Sequence, residues 1–168
     1  MARRTILSPA TGETFVFDDD WNEPDGRVRQ IQYELQPNKP VPAHRHANTA
    51  QSFDVVTGVL HVRVNNRISV LQAGQRMSTG RGETHAQWNE GPDPVHAIET
   101  YDPPLAIEPF FTMLPRAVDS GNPFKIAILL ADFGSVNAVA SLPQRLFVGV
   151  FAPLGRLFGL SKWYRSLT

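Results

Sequence analysis

From residue 12 to about residue 101 the chain alternates apolar and polar residues in short runs, and turn residues interrupt it every 8–12 positions. Arg29, Ile31, Tyr33 and Leu35 interleave with Val28, Gln30, Gln32 and Glu34 in "DGRVRQIQYELQP", a period of two that places each set on its own face of a strand. "GETFVFDD" is a shorter run of the same kind. "QSFDVVTGVLHVRVNNRISVLQAGQ" divides into three runs at Thr57-Gly58 and at Asn65-Asn66. The second break predicts a tight hairpin, since asparagine tolerates the positive φ of a two-residue loop. "HAQWNEGPDPVHAIETYDPP" adds two strands around a Gly-Pro-Asp-Pro turn. Regularly spaced strands without helical spacers predict an all-β sandwich or barrel.

The pattern changes near Pro103-Pro104. "LAIEPFFTMLPRAV", "NPFKIAILLADFG" and "LPQRLFVGVFAPLGRLFGL" carry apolar residues at helical spacing, with proline at or near their starts. The expected organisation is a barrel domain over residues 1–104 and a C-terminal helical extension over 105–168. That extension packs on the barrel, forms a dimer interface, or closes the barrel as a lid.

Composition narrows the function. The chain has 168 residues, no formal net charge and no cysteine. Charge neutrality argues against nucleic acid as a partner. Without cysteine there is no disulfide framework, thiolate site or cysteine nucleophile. "MARRTILSPATGETF" lacks the apolar core of an export signal, so a cytoplasmic protein is expected.

Two of the five histidines lie in "HRHANTAQ". On a strand, His44 and His46 project to one side, and Arg45 faces away. Gln51 comes from the next strand, with Ser52 turned away, and His85 opens a later one. Three imidazoles and an amide oxygen suit a divalent first-row metal. Phe53 and Val55 share strand parity with Gln51, and Gln87 with His85, so all three are candidates to line the cavity. Trp88, of opposite parity to Gln87, is expected in the core. His61 and His96 have no partner at ligand spacing and read as structural or half-exposed. His96 is also a cavity candidate, supplying acid/base chemistry with Glu99 or Tyr101. No nucleotide fingerprint or Ser-His-Asp order is present.

The spacing of these residues resembles the cupin superfamily. Residues 38–58 are similar to its first motif, G(x)5HxH(x)3–4E(x)6G, with Asn38 in place of glycine and Gln51 in place of glutamate. Residues 74–89 are similar to the second, G(x)5PxG(x)2H(x)3N, with Gly80 in place of proline; His85 and Asn89 match. The resemblance implies a double-stranded β-helix, a jelly-roll barrel, with a metal held by His44, His46, Gln51 and His85. The metal would be iron, manganese, nickel or zinc. A neutral Gln51 either leaves the ion a stronger Lewis acid or fails to ligate; a degenerate, metal-free site is the competing reading. The function implied is a metal-dependent enzyme acting on an organic small molecule, of dioxygenase, isomerase or polyketide-cyclase type. The alternative is a ligand-binding or sensory cupin without turnover.

The tail supports a further expectation. Residues 141–168 hold Arg145, Arg156, Lys162 and Arg165, no acidic residue, and the pair Trp163-Tyr164. Such a segment packs on the barrel or on a homodimer partner, or lies on an anionic membrane surface.

Overall fold

A computed structural model describes residues 3–21, 26–160 and Trp163. In chain order the strands are β1 (Arg4–Ser8), β2 (Glu13–Phe17), β3 (Arg29–Leu35), β4 (Val41–Arg45), β5 (Ala50–Thr57), β6 (Val59–Val64), β7 (Arg67–Gln72), β8 (Arg76–Thr79), β9 (Thr84–Trp88) and β10 (Val95–Asp102). The helices α1 (Ile107–Asp119) and α2 (Pro123–Asp132) follow, then a two-residue strand β11 (Ala138–Val139) and α3 (Leu142–Leu157). The strands form two antiparallel sheets, ordered β1-β2-β3-β10-β5-β8 and β11-β4-β9-β6-β7. This is the jelly-roll double-stranded β-helix, followed by three helices.

Local chemistry explains the turns. Asn65 has φ 52° at the β6–β7 hairpin, and Asn38 has φ 56° where the first motif calls for glycine. Both are asparagines in the left-handed region, where a short polar side chain is tolerated. Gly58, between β5 and β6, has φ 84°, and a Cβ there would lie 3.1 Å from the Val95 Cα. Asn122 caps α2 by accepting from the Phe124 and Lys125 N–H groups; Ser141 and Gln144 form a capping box on α3.

Alternation decides what faces inward. Ile31, Tyr33 and Leu35 of β3 are buried with Val95, Ala97 and Tyr101 of β10, and Phe53 and Val55 of β5 join them. The apolar core continues without a break into Phe110, Phe111, Met113, Ile128 and Leu129 of the helices. Phe111 stacks on Phe15 of β2, ring centroids 4.3 Å apart. β11 pairs with β4, Val139 opposite His44 and Ala138 opposite Arg45. The C-terminal extension therefore covers the barrel and adds a strand to the histidine-bearing sheet.

Two placements correct the sequence expectations. Trp88 is not in the core: it lies half-buried on the outer face, stacked on His61 at 5.4 Å and donating to Glu90 at 2.7 Å. His96 is not in the cavity. Its parity on β10 is opposite to that of Glu99 and Tyr101, and it faces outward, 3.5 Å from Glu34.

Candidate metal centre

The histidines converge because of strand register. His44 on β4 lies directly opposite His85 on β9, after an irregularity in the pairing between Val41 and His44, and His46 follows β4 immediately. Ring centroids lie 4.3 Å apart for His44 and His85, 5.1 Å for His44 and His46, and 5.2 Å for His46 and His85. One nitrogen from each ring falls within 4.8 Å of the others.

Hydrogen bonding selects which nitrogen is free. Each Nδ1–H donates to a backbone carbonyl: His44 to Pro42 at 2.9 Å, His46 to Val136 at 2.6 Å and His85 to Glu83 at 3.3 Å. This leaves the Nε2 lone pairs for an ion, the arrangement in which a backbone oxygen sets the tautomer of a ligating histidine. The Nε2 of His85 is buried and has no hydrogen-bond partner among the described residues. Burial pushes its pKa down to about 4, with His46 contributing. Burial and the two neighbouring imidazoles hold His44 well below the ordinary imidazole value, and burial also lowers His46. All three are neutral, as ligands must be, near pH 7.

The opposite sheet supplies the fourth group. Gln51 on β5 pairs in register with Tyr101 on β10. Its Nε2 donates to the Tyr101 hydroxyl at 2.9 Å, which donates to Glu99 at 2.5 Å. That chain turns the Gln51 Oε1 toward His46, 3.0 Å from its Nε2. In this amide orientation two lone pairs face each other, an arrangement that a cation shared between them relieves. Burial disfavours the imidazolium, so the donor set fits a divalent cation.

Behind the histidines is a cavity of about 30 Å³, lined by Glu13, His44, Gln51, Glu99 and Gln87 and closed by Phe111 and Asn137 from the C-terminal segment. The carboxyl groups in it are unusual. Burial pushes Glu99 up to about 8 and Glu13 up to about 7, against an ordinary value of 4.5. Glu13 accepts from the Tyr33 hydroxyl at 3.1 Å, and Glu99 also accepts from Gln87 Nε2 at 3.4 Å. The Gln87 Oε1 is buried without a hydrogen-bond partner among the described residues.

The structure thus brings His44, His46, Gln51, His85 and Gln87 together. Phe53 lies against His85 at 6.2 Å, and Val55 is buried further along the same face of β5. Sequence reasoning missed Glu13 and paired Glu99 with the wrong histidine. The available signal was parity: Glu99 shares its side of β10 with Val95, Ala97 and Tyr101, a carboxylate on an apolar face. A larger groove of about 600 Å³, lined in part by Arg3, Gln32, Val56 and His96, lies on the outer face of the six-stranded sheet, apart from the histidines.

A jelly-roll barrel with three convergent imidazoles between its sheets defines the class: a double-stranded β-helix protein with a candidate metal centre. Residues 31–101 match the sequence model of the cupin domain family, and the C-terminal helices follow the matched segment. Among solved structures the fold is similar to KdgF from Halomonas sp., with 16% identity, 61% of this chain and 88% of that chain covered, and a TM-score of 0.51. It is also similar to the cupin domain of Cnp3 from Schizosaccharomyces pombe, with 16% identity, 61% and 68% covered, and a TM-score of 0.50. Comparison with curated protein sequences finds no significant match.

Proposed function

We propose that this cupin is a metal-dependent enzyme that moves a proton on a small polar organic molecule, by chemistry of the isomerase or cyclase type rather than by oxygenation. The observation that carries the reading is the placing of two near-neutral carboxyl groups, Glu13 and Glu99, in one cavity with His44 and Gln51. A divalent ion held by His44, His46 and His85, with Gln51 beside them, would polarise a substrate carbonyl or hydroxyl oxygen. Glu99 is suited to take up or return a proton near pH 7, because its pKa lies close to the working pH. Tyr101 holds the Glu99 carboxyl, the unpartnered Gln87 Oε1 is an acceptor for a substrate hydroxyl, and Phe53 and Phe111 exclude water.

A cavity of about 30 Å³ admits little more than a water molecule, so substrate entry requires displacement of α1 or of the segment before β11. That closure is also what favours the second reading, a ligand-binding or sensory cupin without turnover.

The test is elemental analysis of the purified protein, followed by assay of the loaded protein against small hydroxy-carbonyl compounds in deuterated buffer. Exchange or rearrangement that needs the metal and is lost in Glu99→Gln supports proton transfer. Metal-dependent oxygen consumption during turnover overturns it in favour of an oxygenase. Failure to load any ion on reconstitution removes the enzyme reading.

A further inference from the structure

Helix α3 is apolar on two opposite faces. One face packs on α2 through the small residues Ala152 and Gly155, both buried. On the other, Leu142, Leu146, Val150, Leu154 and Leu157 recur at intervals of four and three, and Phe158 follows. Their exposures are 69, 61, 52, 41, 78 and 66%. Pro143, Gly149 and Pro153 fill the same exposed arc, so no charge interrupts it. Arg145 and Arg156 lie along its flank, Arg156 also donating to Asp132 of α2 at 2.6 Å. A helix with apolar residues on both sides needs a second cover.

Charge and area indicate the cover. The chain as a whole is neutral, yet residues 133–168 contain Arg145, Arg156, Lys162 and Arg165 and no aspartate or glutamate. Lys162, Tyr164 and Arg165 lie outside the described residues; Trp163 packs against the core and lies under the Lys125 ammonium. The helix has 16 residues, so the arc is roughly 24 Å long and about 10 Å wide. That strip is smaller than the roughly 800 Å² of accessible surface that each partner of a standard-size interface buries. A narrow apolar stripe with a cationic flank is what an interfacial helix presents to acidic headgroups. We propose that α3 docks this chain, by its Leu142–Phe158 face, on the surface of an anionic lipid bilayer. It lies in the plane of the surface and does not cross it; among the described residues no helix is long and apolar enough to span a membrane.

The full chain should co-sediment with phosphatidylcholine vesicles containing phosphatidylserine, and several-fold less with phosphatidylcholine alone or in high salt. Leu146→Glu combined with Val150→Glu should weaken binding at least tenfold. Circular dichroism and metal content should be unchanged, because both positions are exposed. Wild-type protein that remains in the supernatant with both vesicle types overturns the proposal, as does a double variant that binds as tightly as wild type. So does a dimer in analytical ultracentrifugation that the same substitutions dissociate, with no vesicle binding: that result assigns the face to a second copy.

Discussion

His85 concentrates the consequences of the site in one atom, a buried Nε2 with no hydrogen-bond partner among the described residues. His85→Ala removes one of three convergent imidazoles and should abolish metal loading. His61→Ala, on the outer face against Trp88, should leave loading unchanged; elemental analysis of both variants decides the point. Gln51 is explained by its neighbours. The Tyr101 hydrogen is used on Glu99, so the tyrosine oxygen requires a donor, which an amide supplies and a carboxylate does not. Tyr101→Phe leaves the Gln51 N–H and the Glu99 carboxyl each short of a buried partner. It should cost about 2–4 kcal/mol of unfolding free energy in urea denaturation. His44, His46, Gln51 and His85 were legible by spacing, because ligand geometry is local to two hairpin-like segments. Glu13 was not, because a glutamate opening a short alternating strand looks solvated until the opposing sheet is present.

At the scale of elements, the strand and helix segments read from periodicity fall where the structure puts them. The weakly patterned pieces, β1, β8 and β11, are strands only because a neighbour pairs with them. β11 is the clearest case: two residues between helices cannot declare a strand without β4. The α2–α3 contact is equally tertiary. A Cβ at Gly155 would sit 2.8 Å from the Phe124 Cβ and 3.0 Å from the Ile128 Cδ1. Gly155→Ala gains about 1 kcal/mol of helix propensity but overpacks against a side-chain base that has little room to move. The expected result is a net loss of about 1 kcal/mol in thermal or urea unfolding. A gain would mean that α3 is held less closely than its packing shows.

Across the whole molecule, the helical extension and the barrel share one core, and the extension supplies the Val136 carbonyl that orients His46. A chain ending at residue 104 keeps all four candidate ligands and should still fail to load metal, as measured by elemental analysis. The titrating groups also sum over the whole. Glu99 and Glu13 have folded values near 8 and 7, above the ordinary 4.5; the stability linked to them is complete below that value and is lost as pH rises through 7 and 8. His85 behaves oppositely, its contribution being full above 6.5 and lost as pH falls toward 4. The two effects oppose each other between 4.5 and 6.5, and above 6.5 only the carboxyl effect remains. The metal-free protein should therefore lose on the order of 2 kcal/mol from Glu99 alone between pH 6.5 and 8. Glu99→Gln should flatten that decline in thermal unfolding followed across pH.

The sequence by itself determined the barrel, the helices and the three imidazoles. Alternation of period two, turn residues and ligand spacing are all local, so each can be read within a few residues. Only the tertiary structure decided which polar groups are buried together. It turned His96 and Trp88 outward, set Glu99 behind Gln51, and brought Val136 to His46 across 90 positions of chain. Those outcomes depend on the closing of two sheets and the docking of the helices, which no local pattern encodes.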